Sequence, residues 1–162
     1  LMRKGEISLA LIEGNYPKVQ YEHINYSSEK YIAVCSARHR FANGTPRKLR
    51  DLTSERLLIR EKGSGTRNIL VRTLEAKGIS VSEFVRFMEV ENMHTIIGLL
   101  EMDCGISFLY RIAAEKQIVD NLLKEIQLED FQMEHDFDFI WEKGSIYTEK
   151  NIEFCKELIA LK

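Results

Sequence analysis

The stretch from Leu57 to Gly78 constrains the fold of this chain more than any other. Leu57-Leu58-Ile59 has the apolar character of a buried strand. It runs into Arg60-Glu61-Lys62-Gly63-Ser64-Gly65-Thr66-Arg67, and a helical pattern follows over 68–77. Ile69, Leu70, Thr73 and Leu74 share one face of that helix, and Gly78 stops it. A strand that turns through glycines into a helix is the building unit of an α/β sheet. Such sheets bind ligands where strand C-terminal ends meet helix N-termini.

The turn itself has the chemistry of a small-anion cradle. The first N–H groups of a helix have no partner within it, and the helix dipole adds partial positive charge there. Gly63 and Gly65 let the main chain approach a ligand closely, while Ser64 and Thr66 can cap the helix or offer a hydroxyl. Arg67, a cation in the first turn, opposes the dipole unless an anion lies beside it. Taken alone, these residues fit either an anion site or an ordinary N-cap with a solvated arginine. The glycine spacing is not the dinucleotide fingerprint. No lysine follows a second glycine as in a nucleotide-binding P-loop, so a carboxylate, sulfate or phosphate is expected rather than a nucleotide.

Similar alternation runs through the rest of the chain. Strands are expected over 7–12, 20–25, 31–36, 84–90, 104–109 and 123–128, with Ser27-Ser28 separating the second and third. A final strand carries Phe137, Phe139 and Trp141. Asn92 is placed to cap a helix whose stripe is Met93, Ile96, Ile97 and Leu100. Short helical stretches are expected near 49–52 and 112–118. A last helix over 148–161 shows a wide stripe that includes Ile152, Phe154, Cys155, Leu158, Ile159 and Leu161. Helix N-termini at Thr66 and Asn92 follow strands of one sheet and could face one crevice, which favours the anion-site reading.

Composition excludes several classes. With a net charge of −2 and a pI near 6.1, the chain has no basic footprint for gripping nucleic acid by its phosphates. At 162 residues, 44% of them hydrophobic, it holds one domain or two small lobes. No run of about 20 apolar residues and no signal-peptide layout occurs. Cys35, Cys104 and Cys155 lie far apart among apolar neighbours, as buried reduced thiols of a cytoplasmic protein would. His23, His39, His94 and His135 lack metal-ligand spacing, so neither a metal nor a cofactor is expected. Asp136 and Asp138 could be read as a catalytic carboxylate pair. Their alternation with Phe137 and Phe139 is instead what a half-exposed strand shows, and no Ser–His–acid or Cys–His arrangement accompanies them, so no enzyme is expected.

The ordered blocks GEISLALIEG, YIAVCSARHRFA, LLIREKGSGTR and VENMHTIIGLLEMDCGISFL resemble the effector-binding domain of LysR-type transcriptional regulators across nearly the whole chain. The resemblance implies a two-lobed α/β fold like the type II periplasmic binding proteins, with an effector between the lobes. Crossing segments would lie at 31–38 and 134–141. The first lobe would comprise 1–38 plus 136–162, and the second 39–135. The family's DNA-binding domain and the opening strand and helix of the first lobe are not in this sequence, so the chain is expected to begin in mid-domain with a helix ending near Gly5. Tyr110 stands where the family usually has proline. Carried onto these positions, the effector-binding residues would be Ser64, Gly65, Thr66, Arg67, Asn92, His94 and Ser107, with Glu13 and Gly14 from the first lobe. The resemblance further implies a homodimer, with the helix over 92–103 as an interface candidate. It implies DNA contact only through the missing domain and a small anionic metabolite as effector. A solute-binding receptor of a transport system is the alternative.

Overall fold

Residues 2, 6–13 and 16–161 are described by the computed structural model. They fall into two packed units, 1–29 with 134–162, and 30–133.

In the first unit, β1 (Ala10–Glu13) lies antiparallel to the last strand, from Ala10 opposite Ile140 to Glu13 opposite Phe137. That last strand (Met133–Glu142) also borders the long strand β2 (Tyr21–Ser36). The C-terminal helix (Thr148–Ala160) places Ile152, Cys155, Leu158 and Ile159 against Phe139 and Trp141. These positions recur every three or four residues, as one buried helix face requires. The face is narrower than the sequence stripe suggested: Phe154 and Leu161 are 50% and 83% exposed. Phe154 precedes Cys155 by one residue, and the ~100° that separates successive helical residues turns it off the buried face.

The second unit holds the larger core. β2 continues into it, pairing antiparallel with β5 (Ile106–Tyr110) on one edge and with β6 (Leu123–Glu125) on the other. Between them in sequence come β3 (Arg56–Arg60), α1 (Gly65–Ala76), β4 (Arg86–Val90) and α2 (Met93–Glu101). A short helix, α3 (Glu115–Val119), precedes β6; the last strand and the C-terminal helix are β7 and α4. β3 runs parallel to both β4 and β5, giving the order β2-β5-β3-β4. Ile32, Val34, Leu58 and Leu109 point to one face, where Ile96, Ile97 and Leu100 of α2 cover them. α1 packs on β3 and β5 with Leu70 and Leu74 buried. Every residue of β5 is buried, the pattern of a strand covered on both faces.

Two glycines are required here. Gly63 turns the chain at φ +98 between β3 and α1. Gly105 enters β5 at φ +153, where a Cβ would meet the Arg56 carbonyl oxygen at 2.4 Å.

Several expectations change. The serines at 27 and 28 do not divide two strands: β2 is continuous, with Ser27 buried and the Ser28 hydroxyl donating to Asp136 on β7. β1 starts at Ala10 rather than Ile7, and β4 at Arg86 rather than Phe84, because Phe84 ends a 3₁₀ turn and is buried. Residues 31–36, expected in the first lobe, pair with β5 and β6 and so pack in the second unit. Asp138 is buried instead of half-exposed. It accepts hydrogen bonds from the Tyr16 hydroxyl (2.9 Å) and Asn25 Nδ2 (3.0 Å), which replace water for the carboxylate. Burial, reinforced by Asp138, pushes the Tyr16 phenol up to about 12. Cys35 and Cys155 are buried free thiols, Cys35 pushed up to about 12 by burial, whereas Cys104 is half-buried. The helix end expected near Gly5 lies outside the described residues.

Candidate functional site

The parallel register of β3 and β4, Arg56 opposite Arg86 through Arg60 opposite Val90, brings both strands to an end on the same side of the sheet. Both following helices therefore start at that edge. The chain passes outward from β3 to β4 and then returns across β3 to β5. This reversal between β3 and β5 is the kind of point where open α/β sheets bind ligands, and α1 begins beside it.

The α1 start is open. Ser64 occupies the N-cap position, but its side chain makes no cap bond; its Oγ lies 2.9 Å from Thr66 Oγ1 instead. Ser64 N donates to the Glu61 carbonyl, and Asn68 N closes the first helical turn on the Ser64 carbonyl. The amides of Gly65, Thr66 and Arg67 have no acceptor among the described residues. Three N–H groups thus share one end of a twelve-residue helix with two hydroxyls.

Nearby charges are already paired. Arg67 Nη1 donates to the Arg60 carbonyl at 2.8 Å and also to the Glu89 carboxylate, so its side chain is only 12% exposed. Its cation fastens α1 to β3 and β4 rather than standing free over the helix end. Arg60 clamps its neighbour Glu61 with bonds of 2.7 and 2.9 Å. The Arg60 guanidinium holds the Glu61 carboxyl below the usual carboxylate range, and Arg67 does the same for Glu89. What remains unsatisfied at the turn is the row of main-chain amides.

The α2 start is closed by comparison. Asn92 Oδ1 accepts from His94 N at 2.8 Å, an N-cap of the expected kind. Met93 packs on the core, and the His94 side chain is exposed. Ser107 is the second residue of β5, 2% exposed, and its hydroxyl donates to the Leu58 carbonyl at 2.7 Å. It is tied into the sheet rather than placed at the edge. In the first unit, Glu13 Oε1 lies 2.9 Å from His135 Nδ1. Gly14 lies outside the described residues.

One positioning residue had no sequence signal. Tyr31 is 2% exposed, and its hydroxyl donates to the Thr66 carbonyl at 2.9 Å, with the Phe108 carbonyl at 3.3 Å. It fixes the first turn of α1 against β2 and β5. Its partner lies 35 residues away, so no local pattern reveals it.

The family model described as LysR substrate binding domain matches residues 1–159. A probable RuBisCO transcriptional regulator of Cyanidium caldarium is 22% identical over 160 residues, which is 97% of this chain and 50% of that protein. An HTH-type transcriptional regulator of Methanocaldococcus jannaschii is 26% identical over 70% of this chain and 38% of its own length. The chain thus spans about half the length, or less, of these curated relatives. Among solved structures, the Synechocystis CcmR regulatory domain in complex with 2-PG matches with a TM-score of 0.76 at 17% identity, covering 98% of this chain and 76% of that one. The effector binding domain of QuiR in complex with shikimate matches with a TM-score of 0.69 at 16% identity, covering 95% and 72%.

Proposed function

The chain belongs to the LysR substrate-binding domain family, and we propose that it is the effector-sensing part of a LysR-type transcriptional regulator. In this reading, the open start of α1 holds the anionic group of a small metabolite. The observation that carries it is the set of three unpartnered amides at Gly65, Thr66 and Arg67, flanked by the Ser64 and Thr66 hydroxyls. Isolated, such amides would favour any anion that reached them. Small molecules bound by two proteins of the same fold support the assignment.

Binding there would act on Thr66 and, through its carbonyl, on Tyr31 in β2, the strand divided between the two units. A ligand shifts a conformational equilibrium only by its different affinity for the two states. The Tyr31–Thr66 bond offers a physical link between occupancy and β2. DNA binding and transcriptional control would belong to the rest of a longer protein working in the cytoplasm. A homodimer is part of the same proposal, with α2 and the outer edge of β4 as its surface. β4 pairs only with β3 among the described residues and leaves Phe87 and Met88 50% and 43% exposed.

A thermal-shift screen against small carboxylates, phosphate and sulfate tests the effector reading. A ligand at a hundredfold excess over its dissociation constant should stabilise the chain by ~2.7 kcal/mol. Ser64→Ala and Thr66→Val should each cut that shift by about half, as about tenfold weaker binding requires, while leaving the unliganded melting curve in place. Full retention of the shift in both variants would remove the α1 start from the site.

A further inference from the structure

A cavity in the 30–133 unit, away from the α1 start, has features of a binding site. It measures about 440 Å³ and lies between the loop that follows β2 and the segment that continues β6. That volume falls within the ~300–1,000 Å³ of small-molecule pockets. Arg40, Phe41, Pro46, Lys124 and Ile126 are among the residues that line it.

Its charge is one-sided once existing pairs are counted. Arg40 is exposed and makes no side-chain hydrogen bond or ion pair among the described residues. Lys124 Nζ donates to the His39 carbonyl at 3.1 Å and stands 5.6 Å from the Phe41 ring centre, which leaves it further N–H groups to donate. The carboxylate on the wall, Glu125, is paired with Arg111 at 3.4 Å. The His39 ring is flanked by Asp103 at 2.5 Å and Glu55 at 3.3 Å, so its nitrogens are occupied outside the pocket. Besides the two cations, Phe41, buried Pro46 and Ile126, 6% exposed, contribute apolar surface to the lining.

Two cations lining the same cavity as aromatic and aliphatic side chains suit a flat apolar body carrying one carboxylate. We propose that this cavity binds a small aromatic carboxylate, with Arg40 and Lys124 on the carboxylate and the ring against Phe41, Pro46 and Ile126. The site is independent of the α1 amides and of the reading built on them.

Amide NMR spectra of the 162-residue chain, titrated separately with benzoate, benzyl alcohol and inorganic phosphate, test this. Benzoate should shift the amides of 40–45 and 124–127 saturably. Benzyl alcohol, which lacks the charge, and phosphate, which lacks the apolar body, should each bind there about tenfold more weakly or worse. Arg40→Ala, at an exposed position, should weaken benzoate about tenfold at those amides with the remaining spectrum unchanged. Arg40→Glu should abolish binding. Equal affinity for benzyl alcohol, unchanged affinity in both Arg40 variants, or shifts confined to Gly65–Arg67 would each overturn the assignment.

Discussion

α1 and α2 start at the same edge of one sheet, after parallel neighbouring strands, yet their first turns are finished differently. Asn92 bends its side-chain oxygen onto the His94 amide and so completes the end of α2. Ser64 has an oxygen able to do the same, but it faces Thr66 Oγ1 and leaves three amides of α1 open. A capped helix start is a structural joint. An uncapped one beside a strand-order reversal remains available to an anion. Residue type at the N-cap does not separate these cases, since Ser and Asn are both good caps; the direction the side chain takes does.

The largest expected effect comes from removing the platform that both helices share. Gly105→Ala drives a methyl into the Arg56 carbonyl and should cost about 2–4 kcal/mol, read as a lowered urea midpoint. If stability is unchanged, β3 and β5 are not held as closely as the geometry states. Next is the contrast itself. Thr66→Val should weaken the effector found by the screen about tenfold at little cost in stability. Asn92→Ala should do the reverse, losing ~1 kcal/mol with affinity unaltered. Equal behaviour of the two variants would erase the distinction between the two helix starts.

Closing the open end is a sharper test. Ser64→Asp places a carboxylate where the ligand's anion would lie. It should stabilise the chain by ~0.3–1 kcal/mol through the helix dipole while blocking the effector. Tyr31→Phe should cost about 1 kcal/mol in thermal unfolding, and it should also loosen effector binding through the freed Thr66 carbonyl. A stability loss with unchanged affinity would confine Tyr31 to packing.

The smallest effect is that of pH on the Arg67 clamp. Arg67 lowers the folded-state pKa of Glu89, so the clamp's contribution is complete above the unfolded carboxylate pKa of ~4.3 and is lost as pH falls through the lower folded value. Glu89→Gln should therefore lower stability slightly at neutral pH, flatten the acid limb of a stability–pH curve, and leave stability below the folded carboxylate pKa nearly unaffected.

Much of the second unit was legible along the chain. Leu57-Leu58-Ile59, the Gly63 turn and the stripe of α2 are local patterns, each decided within a dozen residues, and each appears in the fold. Arg67 illustrates the opposite case. As a first-turn cation it looked like an anion contact, but Glu89, 22 residues on, takes its charge. Ser107 is expected among the effector-binding residues from the resemblance, and its hydroxyl donates to the Leu58 carbonyl 49 residues away. Asp138 alternated with aromatics as an exposed residue would, until Tyr16 and Asn25 arrived to bury it.

The sequence by itself determined most of the strands and helices and the place of the glycine turn, because periodicity and turn chemistry act between neighbours along the chain, and its ordered motif blocks carried the resemblance to the family. Tertiary structure alone decided which polar groups are spent and which are left over. A hydrogen bond or ion pair needs its partner in space, and the partners of Arg67, Ser107, Asp138 and Tyr31 are supplied only when distant strands are laid side by side.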